Sequence, residues 1–396
     1  EGLFLSSGVL KNPTYTMELM YQTIYLLRTR YHFRGYIHAK AVPGASPEII
    51  QQMGYLADRM SINMELPTSK SLQELAPNKT HAAILKPMKQ IQEQISDYRL
   101  SIGKTASMER HAGNRLLPNS IFSSSESGKE ISGSFSPKNS TDVSLSGKRI
   151  PASNSISSSP DNIRRPFVPA GQSTQMIIGA SPENDYELLK ITQDMYQVFD
   201  LKRVFFSAYI PVNEDSALPS PDTPPPLLRE HRLCQADWLL RYYGFQAEEL
   251  LSPSKPNFNL FLDPKCDWAL RHLELFPMEI NSASYEDLLK VPGIGTKSAW
   301  RIIHARRSGT LDFCDLKRMG IVLKRAQYFI TCHGKMLHRI PIEEDFITRQ
   351  LTGTGQKDAW DIEHPQSYRQ LSLFEDNFLS VPPSVEDNLK TLSGQL

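Results

Sequence analysis

The sequence predicts an α/β protein in which a parallel sheet with helices outside it is followed by a small all-α domain. Short apolar segments alternate with longer helical patterns, which indicates parallel strands joined by helical crossovers. A glycine turn between two helical patterns, near residue 293, indicates the second domain. A chain of 396 residues is long enough for two or three domains.

The first half of the sheet is predicted from three strand-like segments. Residues 2–8 form an apolar run that ends in small residues and is typical of a buried strand. Further strands are expected at residues 36–41 and 59–66, and helices at residues 15–30, 46–57 and 80–95. Together these segments make residues 1–103 the first part of the sheet domain.

A serine-rich segment interrupts the sheet at residues 104–165. It has few large apolar side chains to offset its ordering entropy, so we expect a disordered insertion. The alternation then resumes, with strands expected at 175–179 and 203–209 and helices at 185–199 and 227–243. Residues 166–265 therefore complete the sheet domain and add a linker helix.

Polar residues occur where the predicted strands end. Ser6, Ser7, Lys40, Asn63 and Glu65 lie at or near these ends. Because the carboxyl ends of parallel strands meet at one edge of a sheet, where ligands bind, we expect a ligand site at this edge.

The stretch at residues 291–297 predicts a phosphate-binding turn. Ser284 caps a short helix that Pro292 ends, and Gly293 and Gly295 permit a tight turn without Cβ atoms near its surface. A second helix begins at about Thr296. Backbone N–H groups at its N-terminus, together with the helix dipole, favour an anion.

Basic residues are concentrated around this turn, although the net charge of the chain is only +1. They are Lys290, Lys297, Arg301, Arg306, Arg307, Lys317, Arg318, Lys324, Arg325, Lys335 and Arg339. The acids between residues 290 and 339 are Asp312 and Asp315. This local asymmetry favours nucleic-acid binding. The residues expected to contact DNA are Gly293, Ile294, Gly295, Thr296, Lys297, Arg301 and Lys324.

Residues 280–284 and 292–295, with Phe313, resemble the helix-hairpin-helix family of DNA-backbone binders. A weaker second hairpin follows at residues 319–324 and lacks the second glycine. The resemblance implies a tandem helix-hairpin-helix DNA-binding domain at residues 270–335. The alternative is a helix pair that uses its glycines only for close packing.

Four stretches of the sheet domain, at residues 1–8, 35–45, 169–175 and 209–212, resemble radical S-adenosylmethionine (SAM) enzymes. They are most similar to the bacterial members assigned to DNA modification or repair, which join that barrel to a helix-hairpin-helix region. The resemblance implies a partial (βα) radical SAM barrel, S-adenosylmethionine, a 4Fe–4S cluster and a reductant such as flavodoxin or ferredoxin. The residues it places at the cofactor are Ser6, Ser7, Gly8, Lys40, Glu65, Ile177 and Tyr209.

The sequence departs from this family at the cluster. The family motif, Cys-x-x-x-Cys-x-x-Cys, is absent, and the four cysteines are too far apart to predict a metal site. The chain enters at Glu1 into what we interpret as the second barrel strand. We therefore expect an N-terminal truncation that removed the cluster loop, and an inactive chain as it stands.

The polar segment at residues 336–396 is expected to be a flexible tail. Within it, Gln370, Leu371, Leu373 and Phe374 resemble the peptide by which bacterial proteins bind the sliding clamp. The alternative is a tail segment that packs back on its own barrel.

The bulk properties favour a cytoplasmic protein. No apolar run is long enough to span a bilayer, and the cysteines do not suggest a disulfide framework.

Three functions remain open from the sequence. The first is a radical SAM enzyme that acts on DNA or on a nucleic-acid-bound substrate. The second is a non-enzymatic DNA-binding adaptor whose barrel is only a scaffold. The third is a DNA glycosylase/lyase, with Lys297 as nucleophile and Asp315 assisting it.

Overall fold

The computed structural model describes residues 2–103, 165–212 and 215–352. Five parallel strands form its main sheet in sequence order, and the sheet curls into a half-barrel. They are β1 (Gly2–Leu5), β2 (Tyr36–Lys40), β3 (Arg59–Ser61), β4 (Gln172–Ile178) and β5 (Arg203–Ala208). The serine-rich insertion up to residue 164 and the peptide at residues 370–374 lie outside the described residues.

Helices cover the outer face of this sheet, as the alternating pattern predicted. They are α1 (Pro13–Thr29), α2 (Pro47–Leu56), α3 (Ser69–Leu75), α4 (His81–Ser101), α5 (Asp185–Phe199) and α6 (Leu227–Tyr242). The outer face carries the fully buried side chains of the strands, including Ile37, Ala39, Met60 and Met176. The α/β class and the parallel sheet are therefore confirmed.

The first strand differs from the prediction of a buried strand. In the described part of the chain β1 pairs only with β2, so it is an edge strand. Its burial alternates, and 55 % of Phe4 is exposed. An apolar run is compatible with either a central strand or an edge strand, and its length alone does not distinguish them.

The third strand is shorter than the predicted residues 59–66. β3 ends at Ser61, and the chain pairs again with β4 at Glu65, whose N–H donates to Gln175 O (3.0 Å). The Glu65 carbonyl accepts the Ile177 N–H (2.7 Å). Glu65 has φ +64°, which is uncommon for a residue other than glycine and often marks a functional position.

Asp58 ties together the amino-terminal edge of the sheet. Its carboxylate accepts hydrogen bonds from Arg28 (2.8 Å), Arg165 (2.9 Å) and the Ile37 N–H (2.7 Å). The Arg28 side chain is almost fully buried. Arg165, which the sequence assigned to the insertion, is therefore anchored to the sheet.

The C-terminal half of the described chain consists mainly of short helices. They are α7 (Ala247–Leu250), α8 (Pro264–Arg271), α9 (Tyr285–Lys290), α10 (Thr296–Ala305), α11 (Phe313–Arg318), α12 (Leu323–Ala326) and α13 (Glu344–Thr352). A 3-10 turn at Leu273–Leu275 and two strands, β6 (Met278–Glu279) and β7 (Ile330–Thr331), complete it. The strands pair in parallel, so this region is not purely helical.

The Glu279 carboxylate connects separate segments of this helical region. Its carboxylate accepts hydrogen bonds from Asn281 (3.0 and 3.1 Å), Thr331 (3.0 Å) and the Gly334 N–H (2.8 Å). Burial acts to raise the pKa of Glu279, but these hydrogen bonds outweigh it and lower the pKa to about 2. The carboxylate therefore joins β6 to β7 and to the turn that follows β7.

Two boundaries differ from the expected domain plan. Helix α8 runs across residue 265, at which the sheet domain was expected to end. Helix α13 lies in the segment expected to be tail, and its Ile347 is fully buried.

Among the described helices, none has both the length and the apolar character required to cross a membrane.

Candidate cofactor edge and candidate nucleic-acid interface

The inner face of the half-barrel is lined with polar and aromatic side chains. Residues paired in neighbouring parallel strands point to the same face, and the pairs here are His38–Arg59, Lys40–Ser61, Gln175–Phe205 and Ile177–Ser207. On β2, β4 and β5 these side chains are half-buried and alternate with fully buried ones on the helix side. The inner face of the curled sheet is therefore less buried than the face covered by helices.

Hydrogen bonds connect two strands and the segment after β3 across this face. Asn63 Nδ2 donates to Gln175 Oε1 (3.3 Å), and Gln175 Nε2 donates to Ser207 Oγ (2.7 Å). Gln175 was not among the residues selected from the sequence. It cross-links β4 with β5 and with the segment that follows β3.

His38 is a second inner-face residue that the sequence did not select. Its Nε2 lies 2.9 Å from Ser61 Oγ, and the Phe4 ring meets the imidazole edge-on at 4.9 Å. Burial lowers the pKa of His38 to about 4, with further lowering by Arg59 and Lys40. The imidazole is therefore neutral at pH 7.

The predicted cofactor residues fall into two groups. Lys40, Ile177 and Tyr209 are half-buried at the ends of β2, β4 and β5, and the Glu65 carboxylate is 3.1 Å from Lys79 Nζ. Ser6, Ser7 and Gly8 lie in an exposed loop, in which Ser7 Oγ donates only to Gly8 O (2.8 Å). Three half-buried side chains and one ion-paired carboxylate thus offer a ligand both apolar and charged partners.

The cysteines of this chain do not fit an iron–sulfur cluster. Burial raises the pKa of Cys234 to about 11, that of Cys332 to about 12 and that of Cys266 well above its usual value. Cluster ligands are thiolates, which these environments disfavour. Within the described ranges no three His, Cys, Asp or Glu side chains converge on a common point.

The helical region contains two helix–turn–helix units of matching geometry. We call α9–α10 the first hairpin and α11–α12 the second hairpin. The first helix of each begins with a reciprocal capping box. Each turn contains a glycine in the left-handed conformation, Gly293 (φ +83°) and Gly320 (φ +81°), followed by a buried isoleucine, Ile294 or Ile321.

The two hairpins pack directly on each other through Gly293. The Val322 N–H donates to Gly293 O (3.2 Å), and a Cβ on Gly293 would lie 2.6 Å from the Val322 oxygen. Arg301 Nη1 donates to Met319 O (2.8 Å) in the second turn. The absence of a side chain at residue 293 is therefore required for this contact.

The first turn is less open than the sequence predicted. The Ile294 N–H donates to Val291 O (3.2 Å), and the Ile294 carbonyl accepts a hydrogen bond from Lys265 Nζ (2.7 Å). Burial raises the pKa of Tyr243, and the nearby Thr296 N–H acts in the opposite direction, so the Tyr243 hydroxyl lies close to the start of α10. At Ile294 the turn therefore offers no free N–H group, since Val291 O accepts it within the turn, while Lys265 of α8 holds the Ile294 carbonyl from another element.

The first turn also lines a cavity of about 320 Å³ between the sheet domain and the hairpins. Trp238, Tyr243, Lys265 and Arg325 contribute to its wall. Burial lowers the pKa of Lys265 to about 7, while Asp263 acts in the opposite direction. The Lys265 side chain is therefore buried, and its hydrogen bond to the Ile294 carbonyl holds the turn in place.

Some residues of the predicted basic face are partly buried in contacts within the region, and others are exposed, among which Arg301 also donates to Met319 O and Arg318 lies 3.7 Å from Asp315. Lys290 pairs with Glu249 (2.8 Å), Arg325 pairs with Asp263 (3.0 Å), and Arg306 donates to Ala283 O (2.6 Å). These three cations hold the region together. The exposed ones are Lys297, Arg301, Arg307, Lys317, Arg318, Lys324, Lys335 and Arg339.

The two residues of the glycosylase alternative do not form a pair. Lys297 is exposed at the start of α10 and has neither a hydrogen bond nor an ion pair to Asp315 among the described contacts. Asp315 completes the capping box of α11, where its carboxylate accepts the Asp312 N–H (3.1 Å). In this geometry the Asp315 carboxylate stabilises the start of α11.

Comparisons with protein-family models, with curated proteins and with solved structures found no match to this chain.

Proposed function

We propose that this chain binds the DNA backbone through its two hairpins, acting as a tandem helix-hairpin-helix domain. The observation that carries the proposal is the matched pair of glycine turns, packed side by side and surrounded by exposed cations. Such turns place backbone N–H groups and positive side chains at phosphate distance and read no bases.

The first turn is the stronger phosphate site of the two. Gly295 is the N-cap of α10 and has no side chain to satisfy the first-turn N–H groups. At the equivalent position the second turn has Val322, whose N–H already donates to Gly293 O (3.2 Å). We therefore assign the main phosphate contact to Gly295 and Lys297, with Lys324 supporting a second one.

Charge reversal at Lys297 tests this assignment. Lys297→Glu is expected to weaken binding of duplex DNA about tenfold at low salt and to make the salt dependence shallower by about one unit of slope. A glutamate in the first turn of a helix favours the helix dipole, so α10 should stay folded. Affinity is measured by fluorescence anisotropy on a labelled duplex.

Lys86→Glu is the matched control, since Lys86 is exposed on α4 and the net-charge change is identical. An equal loss of affinity in both variants would show a general charge effect and would refute the assignment to the hairpins.

We further propose that the half-barrel is of the radical SAM type and binds S-adenosylmethionine at its strand-end edge. Ile177 and Tyr209 would contact the adenosine, and Lys40 and Glu65 would contact the charged methionyl part. In the family this cofactor, together with a reduced cluster, supplies a 5′-deoxyadenosyl radical for nucleic-acid modification. The cysteines of this chain do not fit that cluster, so we assign no reaction step to these residues.

Calorimetric titration with S-adenosylmethionine tests the cofactor site. Saturable binding is expected, and Ile177→Asp should abolish it because the inner-face contact becomes charged. Leu100→Asp, at an exposed position at the end of α4, should leave it unchanged. Absence of binding in the unmodified chain would contradict the cofactor proposal and leave DNA binding unaffected.

The misfit of the cysteines favours a second candidate, a non-enzymatic DNA-binding adaptor. It predicts DNA binding without S-adenosylmethionine binding, so the same titration separates the two functions. Binding of a bacterial sliding clamp by residues 370–374 stays a prediction.

A further inference from the structure

Helix α10 presents an aromatic and basic face that backbone binding does not explain. Trp300 is 57 % exposed, although large apolar side chains usually avoid water. Lys297 lies about one helical turn before Trp300, and Arg301 is the next residue after it. Arg307 follows the end of the helix. All three are exposed, and no acidic residue occurs between residues 288 and 311.

The indole of Trp300 is held in a fixed stack. The His304 ring lies parallel to it, with centroids 3.8 Å apart and an interplanar angle of 29°. His304 Nδ1 is 3.0 Å from the Trp300 carbonyl oxygen, which anchors the imidazole to the helix. One face of the indole is thus covered, while more than half of the side chain still faces solvent.

We propose that this face of α10 binds single-stranded DNA by stacking an unpaired base on Trp300. In a duplex the base faces are stacked on one another, so an exposed indole gains a stacking partner only from an unpaired base. Lys297, Arg301 and Arg307 supply the charge that tracks the backbone of the strand, the usual combination in single-strand binding. The proposal rests on the nucleic-acid binding proposed above and adds a preference for unpaired DNA.

Geometry places the stacking residue beside the phosphate site. Three residues of helix separate Lys297 from Trp300, a rise of about 4.5 Å. A strand whose phosphate contacts Lys297 therefore brings its next base to the indole. The stack with His304 restricts the Trp300 side chain, so little of its conformational entropy is lost when a base binds.

The test compares Trp300→Ala with the unmodified chain on an oligothymidylate and on a duplex of equal length. We expect affinity for the single strand to fall about 10- to 100-fold and affinity for the duplex to change less than about twofold. Tryptophan fluorescence should be quenched by the oligothymidylate in the unmodified chain and much less in the variant. Trp300→Phe, which keeps an aromatic ring, should retain most of the single-strand affinity.

Tyr31→Ala is the matched control. Tyr31 is 67 % exposed and lies 5.8 Å from the Arg30 guanidinium, so it is also an aromatic ring beside a cation, but it is in the sheet domain. Its replacement should leave single-strand affinity unchanged. Circular dichroism of both variants should match that of the unmodified chain.

Several results would overturn the proposal. One is equal weakening of single-strand and duplex binding by Trp300→Ala, and another is no weakening of either. A Trp300-dependent dimer in light scattering would assign the face to a second copy of the chain instead. If the unmodified chain binds neither nucleic acid, the proposed DNA binding fails as well, whereas normal duplex binding with unaffected single-strand binding removes only this proposal.

Discussion

Replacing Gly293 by alanine tests how closely the two hairpins pack. Gly293 and Gly320 occupy equivalent turns with nearly equal left-handed φ angles, so alanine carries a similar conformational cost of about 1–2 kcal/mol at either residue. Their surroundings differ. A Cβ on Gly293 would meet the Val322 oxygen at 2.6 Å and the Ala326 nitrogen at 3.1 Å, whereas one on Gly320 would come no closer than 3.8 Å to Arg301.

The difference between the two variants isolates the packing of the hairpins. The atoms that a Cβ on Gly293 meets are backbone atoms, which cannot rotate away, so overpacking adds about 1–3 kcal/mol. We therefore expect Gly293→Ala to cost about 2–5 kcal/mol and Gly320→Ala about 1–2 kcal/mol.

Hydrogen exchange at the Val322 amide is the most direct assay, because this N–H donates to Gly293 O. Its exchange should be about 5- to 150-fold faster in Gly293→Ala than in Gly320→Ala, the equivalent of 1–3 kcal/mol of local opening. Equal exchange rates in the two variants would refute the close contact between the hairpins.

Three further variants test the stability of the fold, each by urea unfolding at several pH values. Glu279→Gln should lower the free energy of unfolding by about 1–3 kcal/mol at pH 7. Since the pKa of Glu279 in the folded chain is about 2, the difference in unfolding free energy between the two chains should persist above pH 4.5 and disappear as the pH falls towards 2. His38→Phe should remove a loss of stability that the unmodified chain shows as the pH falls from 6.5 to about 4, because burial disfavours the charged imidazole; an unchanged pH profile would contradict this. Asp58→Ala should cost about 3 kcal/mol by leaving Arg28 and Arg165 without their carboxylate, and a cost below that of an ordinary surface substitution would contradict the assigned role.

Periodicity was sufficient to predict the main architecture. The helix predicted at residues 185–199 has those bounds in the structure, since Asn184 and Glu187 form a capping box and the apolar face has the helical period. The parallel order followed from the alternation of strands and helices. The two-residue strands β6 and β7 are too short to carry a period, so no pattern indicated them.

The first hairpin turn was located correctly, but its hydrogen bonds were not. Glycines and capping residues are local signals, and they predicted where the turn lies. Lys265, which donates to Ile294 O, comes from another element and has no local signature in the turn. Lys290 likewise has a distant partner without a local signature, since it forms an ion pair with Glu249.

The inner face of the sheet shows a related limit. The strand ends predicted Lys40 and Glu65 as edge residues, and both lie near that edge. His38 and Gln175 were missed because their importance comes from neighbours on adjacent strands, Ser61 and Ser207, and strand register is not readable from one strand alone. The ion pair of Glu65 with Lys79 was missed because Lys79 lies in the connection between α3 and α4, which no local signal links to Glu65.

The salt dependence of duplex binding tests the central claim most directly. If the exposed cations Lys297, Arg301, Arg307 and Lys324 meet phosphates, the logarithm of the binding constant should fall with the logarithm of salt concentration with a slope of about −3 to −4. Little preference among duplex sequences should accompany it. A slope near zero, or strong preference for one sequence, would contradict backbone binding by the paired hairpins.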